Sequence, residues 1–343
     1  MIVITESQMT AQSRSEMMGL IEEYGFKAKQ SPDLGQDVTA LYGKGNKAVA
    51  ERLRSLPDVK RVTAGKPYTL ADREYQRRNT VIRIGGLTIG SDSLAVIAGP
   101  GRVRSYEHLS AIASWMKRCG AQILRGEFVV GAEEGMDIDG LRMMKEVAQQ
   151  YGLTTLTTVP GPRQVEQCAA YADILAVGVR NMQNRDLHNE LGDLSHAVLL
   201  RRGLSATYAD MLNAADYILQ RGNPNVILLE RGIRTYEPYT DSTLDIAAVP
   251  ALQTLSHLPV FVDATHSAAR GEMVVPLARA AVAAGASGVF LGFDLGDPDS
   301  SRLALAPEPF AELMRDFSTL APVAGGQFLH GGDAEERTTI ETK

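Results

Sequence analysis

The sequence predicts an α/β protein, a (β/α)8 barrel of the TIM type preceded by a small ferredoxin-like α+β domain. From Leu94 onward, short apolar runs recur at intervals of roughly 20 to 35 residues. The runs are continuous rather than alternating, which is typical of strands buried on both faces of a parallel sheet. Stretches with helical spacing separate them, so the pattern indicates repeated strand–helix units.

Eight such runs over roughly 225 residues fit the eight strands of a barrel. In chain order they are LAVIA, AQILR, LTTLT, DILAV, AVLLR, NVILL, PVFVD and GVFLG. Helices are predicted between them, for example at SYEHLSAIASWMKRC, GLRMMKEVAQQY and MVVPLARAAVAAG. An open, doubly wound sheet is the competing architecture. No GxGxxG fingerprint follows a first strand, so the barrel is favoured.

The predicted domains divide the chain at residues 66, 93 and 320. Within 1–66, MIVIT, DVTALYG and VKRVTAG indicate strands, while the stretch from Gln8 to Tyr24 and NKAVAERLRSL indicate helices, an order that resembles a split βαβ module. Residues 67–93 are a linker and a hairpin, because VIRIGGLTIG alternates around Gly85-Gly86. The barrel takes 94–320, and the polar, Gly-rich segment 321–343 is a predicted flexible tail.

Composition excludes several classes of protein. The chain has 35 Lys and Arg against 41 Asp and Glu, a net charge of −6, which argues against nucleic-acid binding. No apolar run approaches the about 18 residues that span a bilayer, and the start lacks the pattern of a signal peptide. Cys119 and Cys168 have no paired spacing and are predicted to be free thiols. A cytoplasmic protein is therefore expected.

Arginines stand where several predicted barrel strands end. Because the carboxyl ends of barrel strands open into the loops that form the active site, we expect these side chains to meet at one mouth. A guanidinium is always charged and donates in a fork that suits phosphate and carboxylate oxygens. The sequence thus predicts a site for a polyanionic small molecule, with these candidate ligands: Arg125, Arg180, Arg201, Arg202 and Arg231.

Long motifs at these positions resemble a known family. The segments GVRNMQN, LLRRGLSAT, AADYILQRGNPNVILLERGIRTYE, TLDIAAVP, HLPVFVDATHS and PLARAAVAAGASG are similar to 3-deoxy-D-arabino-heptulosonate 7-phosphate (DAHP) synthases of the type with an N-terminal ferredoxin-like regulatory domain. The resemblance implies condensation of phosphoenolpyruvate with erythrose 4-phosphate at the start of aromatic biosynthesis, the shikimate pathway, with a divalent metal. It also implies a homo-oligomer and an aromatic effector at the small domain.

Carried over by motif, the phosphoenolpyruvate-contacting arginines of the family match Arg125, Arg180 and Arg231. Arg201 stands where the family has a lysine, so it keeps the charge but hardly releases a proton at neutral pH. His266 stands where the family has a metal-binding histidine, three residues after Asp263. We predict His266 and Arg201 as the catalytic pair.

The remaining metal ligands of the family are missing. Gly101 follows Ala98-Gly99-Pro100 where the family has a cysteine, and Gly292 takes the place of a glutamate. Asp294, Asp297 or Asp299 could replace the last aspartate. The Lys-Pro-Arg-Thr segment that holds the aldose phosphate is absent, and EFVVGAEEGMDIDG follows Gly126 instead. We therefore expect no cofactor and no firmly bound metal.

Three functions stay open at this point. The first is a DAHP synthase-like enzyme that adds phosphoenolpyruvate, or a similar enolpyruvyl acid, to an aldehyde without a firmly bound metal. The second is a repurposed enzyme that rearranges or cleaves a chorismate-like ring acid through charge placement. The third is a non-catalytic partner of an active synthase, because one fold hosts many functions.

Overall fold

The computed structural model describes residues 1–7, 9–90, 92–130, 135–268, 270–296 and 302–328. The N-terminal elements are β1 (Ile2–Thr5), α1 (Ala11–Glu23), β2 (Lys27–Ser31), β3 (Gly35–Tyr42), α2 (Val49–Arg54) and β4 (Val59–Thr63). The strands form an antiparallel sheet in the order β2-β3-β1-β4. This is the predicted ferredoxin-like βαββαβ arrangement.

Strand β2 is the element of this domain that the sequence analysis missed. Its residues, KAKQS, pair with β3 alone and lie at the edge of the sheet. Four of the five side chains are at least partly exposed. An edge strand with lysines carries no apolar alternation, although such charges are what keeps an exposed edge from pairing with another chain.

The predicted hairpin and all eight predicted barrel strands are present. The hairpin strands β5 (Ile82–Ile84) and β6 (Leu87–Ile89) are joined by Gly85-Gly86. The next strands, in chain order, are β7 (Ala95–Gly99), β8 (Ile123–Gly126), a short pair β9 (Val129–Val130) and β10 (Gly135–Met136), β11 (Thr154–Val159), β12 (Ile174–Val177), β13 (Ala197–Arg201), β14 (Val226–Glu230), β15 (Val260–Asp263) and β16 (Gly288–Gly292).

The barrel is closed, which excludes the open sheet. Its strands run in parallel from β7 through β16, leaving out the β9–β10 pair, and β16 returns to pair with β7. The helices outside the barrel are α3 (Tyr106–Cys119), α4 (Ile138–Tyr151), α5 (Val165–Ala169), α6 (Arg185–Gly192), α7 (Tyr208–Arg221), α8 (Ala248–Leu255), α9 (Gly271–Ala283) and α10 (Pro307–Val323). In the described part of the chain, no helix could cross a membrane.

Two apolar cores hold the barrel. An inner core fills its lumen, and the hairpin side chains Ile82 and Ile89 belong to this core together with Phe261 and Phe290. A larger core lies between the strands and the surrounding helices. A strand residue in the inner core therefore points its side chain into the lumen, and one in the larger core points its side chain towards the helices.

The N-terminal domain is attached to the barrel through the linker. Asp216 on α7 is buried, and its Oδ1 accepts hydrogen bonds from the backbone N–H groups of Thr69 and Ala71, both at 2.9 Å. Burial raises the pKa of Asp216, because the hydrogen bonds to the carboxylate do not fully compensate for lost hydration. One carboxylate of the barrel thus fixes the backbone of the connector.

The segment predicted as a tail begins inside α10. Residues up to 328 pack on the barrel: Ala321 and Phe328 are buried, and the Phe328 ring meets Phe317 edge-on at 5.9 Å. The chain stays folded past residue 320 because these apolar groups cover the larger core. Residues 329–343 lie outside the described residues.

Candidate active site at the barrel mouth

The side chains of the two adjacent arginines at the end of β13 point in opposite directions. Leu199 belongs to the inner core and Leu200 to the outer core. Side chains alternate along a strand, so Arg201 points to the lumen side and Arg202 towards the helices. Consistent with this placement, the guanidinium of Arg201 lies over the ring of Phe290, with 5.6 Å between Cζ and the ring centroid.

The same alternation sorts the ends of the neighbouring strands. Leu229 is in the inner core, so the next inward position of β14 is Arg231, whereas Glu230 lies outward. On β8 and β15, the inner-core residues Ile123 and Phe261 are followed two positions later by Arg125 and Asp263. Three arginines and one aspartate therefore share the inner side of the mouth.

The ring of Phe290 lies next to three side chains of the mouth, those of Arg125, Arg201 and His266. It lies 4.9 Å from Cζ of Arg125, 5.6 Å from Cζ of Arg201, and 5.5 Å from the ring centroid of His266. The face of an aromatic ring attracts a guanidinium, and the attraction strengthens when water is excluded. Two of the expected anion ligands and the expected catalytic histidine thus converge on one buried ring.

The arginines at the mouth repel one another and are poorly hydrated. Burial lowers the pKa of Arg201; the charges of Arg125 and Arg231 lower it further, against the attraction of Asp263 and Glu127. Burial also lowers the pKa of Arg125. Both guanidiniums stay protonated at neutral pH because their intrinsic pKa is so high. The repulsion between these charges is therefore unfavourable, and a bound anion would relieve it.

The guanidiniums of Arg201 and Arg231 each have one buried donor that is unused among the described residues. Nε and Nη2 of Arg125 donate to the carbonyl oxygen of Pro100, at 3.3 and 3.1 Å. Among the described residues, the buried Nε atoms of Arg201 and Arg231 have no hydrogen-bond acceptor. A buried, unpaired donor on a charged group is costly, so a ligand with several anionic oxygens would gain by meeting these side chains.

His266 is oriented by Asp263. Oδ2 of Asp263 accepts from Nδ1 of His266 at 2.7 Å, while Oδ1 accepts from the backbone N–H groups of Thr265 and His266, at 3.1 and 2.9 Å. Burial would raise the pKa of Asp263, but His266 and Arg201 more than offset this and hold the pKa below its usual range. The hydrogen bond at Nδ1 leaves Nε2 as the free atom of the imidazole.

Gly99 allows the approach of β8 to β7. Its φ is +144°, and a Cβ atom there would lie 2.5 Å from the carbonyl oxygen of Arg125. A side chain at this position would push against the backbone that carries Arg125. The glycine of the Ala98-Gly99-Pro100 motif is thus required by close packing at the mouth.

The described residues do not fit a divalent metal ion. The Asp263 carboxylate accepts hydrogen bonds from three N–H groups, and Gly292 has no side chain that could bind a metal. Asp294 accepts from the N–H of Leu295 and lies 3.4 Å from Nε2 of His108. Across the described ranges, no group of three or more His, Cys, Asp or Glu side chains is arranged for a metal. Asp297 and Asp299 lie outside the described residues.

Two of the expected ligands, Arg180 and Arg202, are not among the described side chains in contact with Phe290. Arg180 is exposed on a single 3-10 turn, Val179–Asn181, directly after β12. Arg202 is buried, and its Nη1 donates to Glu230 and Asp245, both at 2.8 Å. Two internal carboxylates neutralise Arg202, so we remove it from the set of anion ligands.

Phe290 and Glu127 are site residues that the sequence analysis missed. In the sequence, Phe290 is one apolar residue among others in the run GVFLG. In the structure its side chain belongs to the inner core and therefore points into the lumen. Glu127 follows Arg125 by two residues and attracts both Arg125 and Arg201. The period of two along the strands could not have identified Phe290 by itself, because the sequence does not show which residues of this run face the lumen.

The fold and motifs agree with comparisons to known proteins. The profile of the DAHP synthetase I family matches residues 73–297. A phospho-2-dehydro-3-deoxyheptonate aldolase of Thermotoga maritima is 36% identical over 95% of this chain and 99% of its own. A 2-dehydro-3-deoxyphosphooctonate aldolase of Bradyrhizobium diazoefficiens is 30% identical over 64% of this chain and 86% of its own.

Solved structures give the same assignment. The crystal structure of the Thermotoga maritima aldolase, a DAHP synthase, aligns with a TM-score of 0.75 and 35% identity over 95% of this chain and 98% of that one. A truncated form of that synthase aligns with a TM-score of 0.72 and 37% identity, over 76% of this chain and 99% of its own. The chain therefore belongs to the DAHP synthetase I family and is an enzyme of the transferase and aldolase type.

Proposed function

We propose that this enzyme binds phosphoenolpyruvate, or a closely similar enolpyruvyl acid, at Arg125, Arg201 and Arg231 and adds it to an aldehyde without a firmly bound metal. Arg180 supplies a further cation at the rim once the ligand is present. Two observations carry the proposal: the guanidiniums of Arg125 and Arg201 both lie over Phe290, and the buried Nε atoms of Arg201 and Arg231 have no acceptor among the described residues. The names of the relatives, both aldolases acting on 3-deoxy sugar acids, support the same reaction class.

The arginines act on the charged end of the substrate. Phosphate and carboxylate oxygens accept well-aligned hydrogen bonds from guanidiniums, and these bonds are stronger away from bulk water. Binding also relieves the mutual repulsion of Arg125, Arg201 and Arg231. The site thereby fixes the enolpyruvyl group in one orientation. In a reaction of two molecules, such positioning removes a large part of the activation barrier.

The proposed reaction consumes one water molecule and releases inorganic phosphate. The C2=C3 double bond of phosphoenolpyruvate supplies the electron pair for a new bond from C3 to the aldehyde carbon, and the aldehyde C=O double bond becomes a C–OH as its oxygen takes up a proton. Water adds at the electron-poor C2, and one of its two protons replaces the proton taken up by the aldehyde oxygen. The bond between C2 and the phosphate oxygen then breaks, phosphate leaves with that oxygen, the second proton of the water is released, and C2 becomes the carbonyl carbon of the product. We assign proton transfer to Nε2 of His266, because Asp263 holds the other nitrogen and fixes the orientation of the ring.

The proposal includes no firmly bound metal because few metal-binding groups lie near His266 among the described residues. The described residues around His266 offer one imidazole nitrogen and a carboxylate that is already occupied by N–H groups. The predicted homo-oligomer, aromatic effector and cytoplasmic location stay predictions.

A turnover assay of the full chain tests the proposal. After treatment with a chelator, phosphoenolpyruvate and erythrose 4-phosphate should yield inorganic phosphate and a 3-deoxy-ulosonate product. Arg231→Met should abolish most of this activity, whereas Arg221→Met, at an exposed arginine paired with Asp193, should keep it. No turnover with or without manganese would overturn the reaction, and turnover only with manganese would overturn the metal-free part.

A further inference from the structure

We infer that Arg202 and Glu230 are positioning residues that hold Arg201 and Arg231 in the geometry needed for anion binding. The inference rests on the proposed function, because it concerns the same site. Each of these residues is the direct neighbour of a mouth arginine: Arg202 follows Arg201, and Glu230 precedes Arg231. One side chain of each pair faces the mouth and the other is anchored behind it.

The anchors join the ends of β13 and β14 directly. Nη1 of Arg202 donates to Oε2 of Glu230 at 2.8 Å, and both side chains are almost completely buried, at 6% and 0% exposure. Nε of Arg202 donates to the carbonyl oxygen of Ala206 at 2.9 Å. The other carboxylate oxygen of Glu230 accepts from the backbone N–H of Gly232 at 2.6 Å. The backbone on both sides of Arg231, and the turn after Arg201, are thus tied to one ion pair.

The same ion pair extends to the segment before α8 and to α7. Oδ2 of Asp245 accepts from Nη1 of Arg202 at 2.8 Å and from the hydroxyl of Tyr208 at 2.7 Å. The Arg202 guanidinium also lies over the Tyr208 ring, 4.5 Å from its centroid. Two carboxylates share one guanidinium, and none of the three can move without leaving a charge unpaired. Such a network has one favourable arrangement, which makes it suitable for fixing neighbouring residues.

The two carboxylates of the network, Glu230 and Asp245, differ in how firmly their negative charge is held. Burial raises the pKa of Glu230, although Arg202 and the N–H of Gly232 oppose the shift. Asp245 shows the opposite direction: the bonds from Arg202 and Tyr208 outweigh its partial burial and hold its pKa low. Glu230 is therefore the more weakly held charge, and Glu230→Gln is the milder way to break the anchor.

The test compares Glu230→Gln and Arg202→Lys with the wild-type chain. Glu230→Gln should raise the dissociation constant for phosphoenolpyruvate about tenfold, as loss of an orienting neighbour of a ligand-binding group commonly does. It should raise KM more than it lowers kcat. Arg202→Lys keeps a cation between the two carboxylates and should fall between wild type and Glu230→Gln. Crystal structures of the variants should show the Arg201 and Arg231 guanidiniums displaced.

Asp216→Ala is the matched control, since it removes a buried carboxylate that fixes backbone N–H groups far from the mouth. It should lower the melting temperature and leave the affinity for phosphoenolpyruvate unchanged. A folded Glu230→Gln variant with wild-type affinity and undisplaced arginines would overturn the inference. If the wild type itself fails to bind phosphoenolpyruvate, the proposed function fails, and the arginine positions in the variant crystals still decide the inference.

Discussion

Arg231 combines a charge with a buried Nε atom that has no partner among the described residues, and this makes its substitution diagnostic. In Arg231→Met we expect the dissociation constant for phosphoenolpyruvate to rise roughly 10- to 100-fold, the range for loss of a charged hydrogen bond worth about 1.5–3 kcal/mol. The melting temperature should stay the same or rise, because an apolar side chain replaces a poorly solvated charge. Calorimetric titration and thermal unfolding measure the two effects. A fall in stability with unchanged affinity would show that Arg231 has a structural role instead.

Asp263 makes the stability of the protein depend on pH, and the sign of this dependence follows from the direction of its pKa shift. Its folded-state pKa is lowered, so its interactions stabilise the fold above the unfolded pKa of about 3.9 and are lost as pH falls through the folded value. Asp263→Asn should therefore be less stable than wild type at pH 7, and the difference should shrink as pH drops below about 4. Denaturant unfolding at several pH values measures this. A difference that stays constant down to pH 2 would contradict the account.

Single residues also show the limit of prediction from sequence. Arg201 and Arg202 are chemically identical, so their charge alone could not separate them. The period of two along β13 does separate them, but its phase depends on which leucine of AVLLR faces the lumen. In a strand buried on both faces, both leucines are apolar, so only the packed structure reveals the phase.

At the scale of elements, the approach of β7 to β8 depends on Gly99. In Gly99→Ala, both the positive φ and the 2.5 Å contact of the new Cβ with the carbonyl oxygen of Arg125 should be costly. We expect a loss of about 1–3 kcal/mol in the free energy of unfolding, together with weaker anion binding. Gly86→Ala in the hairpin is the control, since a Cβ there meets nothing within 4 Å. Equal stability of the two variants would refute the packing argument.

The eight barrel strands could be predicted because each is an uninterrupted apolar run bounded by helical segments. Strand β2 could not, because its pairing with β3 uses backbone groups and its side chains remain partly exposed. The candidate anion site could be placed from the sequence at the carboxyl ends of the strands, and its role stays a prediction. Phe290 could not be identified as part of it, because an apolar residue within an apolar run has no distinguishing mark.

For the whole molecule, Asp216 connects the barrel to the linker that carries the N-terminal domain. Asp216→Ala leaves the N–H groups of Thr69 and Ala71 without this acceptor, and each such loss costs about 1–3 kcal/mol. We expect faster hydrogen exchange in the linker around Leu70 while the barrel strands keep their protection. Asp193→Ala, at an exposed carboxylate, is the control. Faster exchange throughout the barrel would mean that Asp216 supports the global fold instead of the attachment.

The central claim is that guanidiniums from separate strands of one barrel bind a polyanion without a firmly bound metal. Calorimetric titration of phosphoenolpyruvate into the chelator-treated full chain tests it most directly. The account predicts saturable one-site binding in the presence of chelator, weakened by added salt and weakened roughly 10- to 100-fold in Arg231→Met. Binding that appears only after manganese is added, or affinity that Arg231→Met leaves intact, would contradict it.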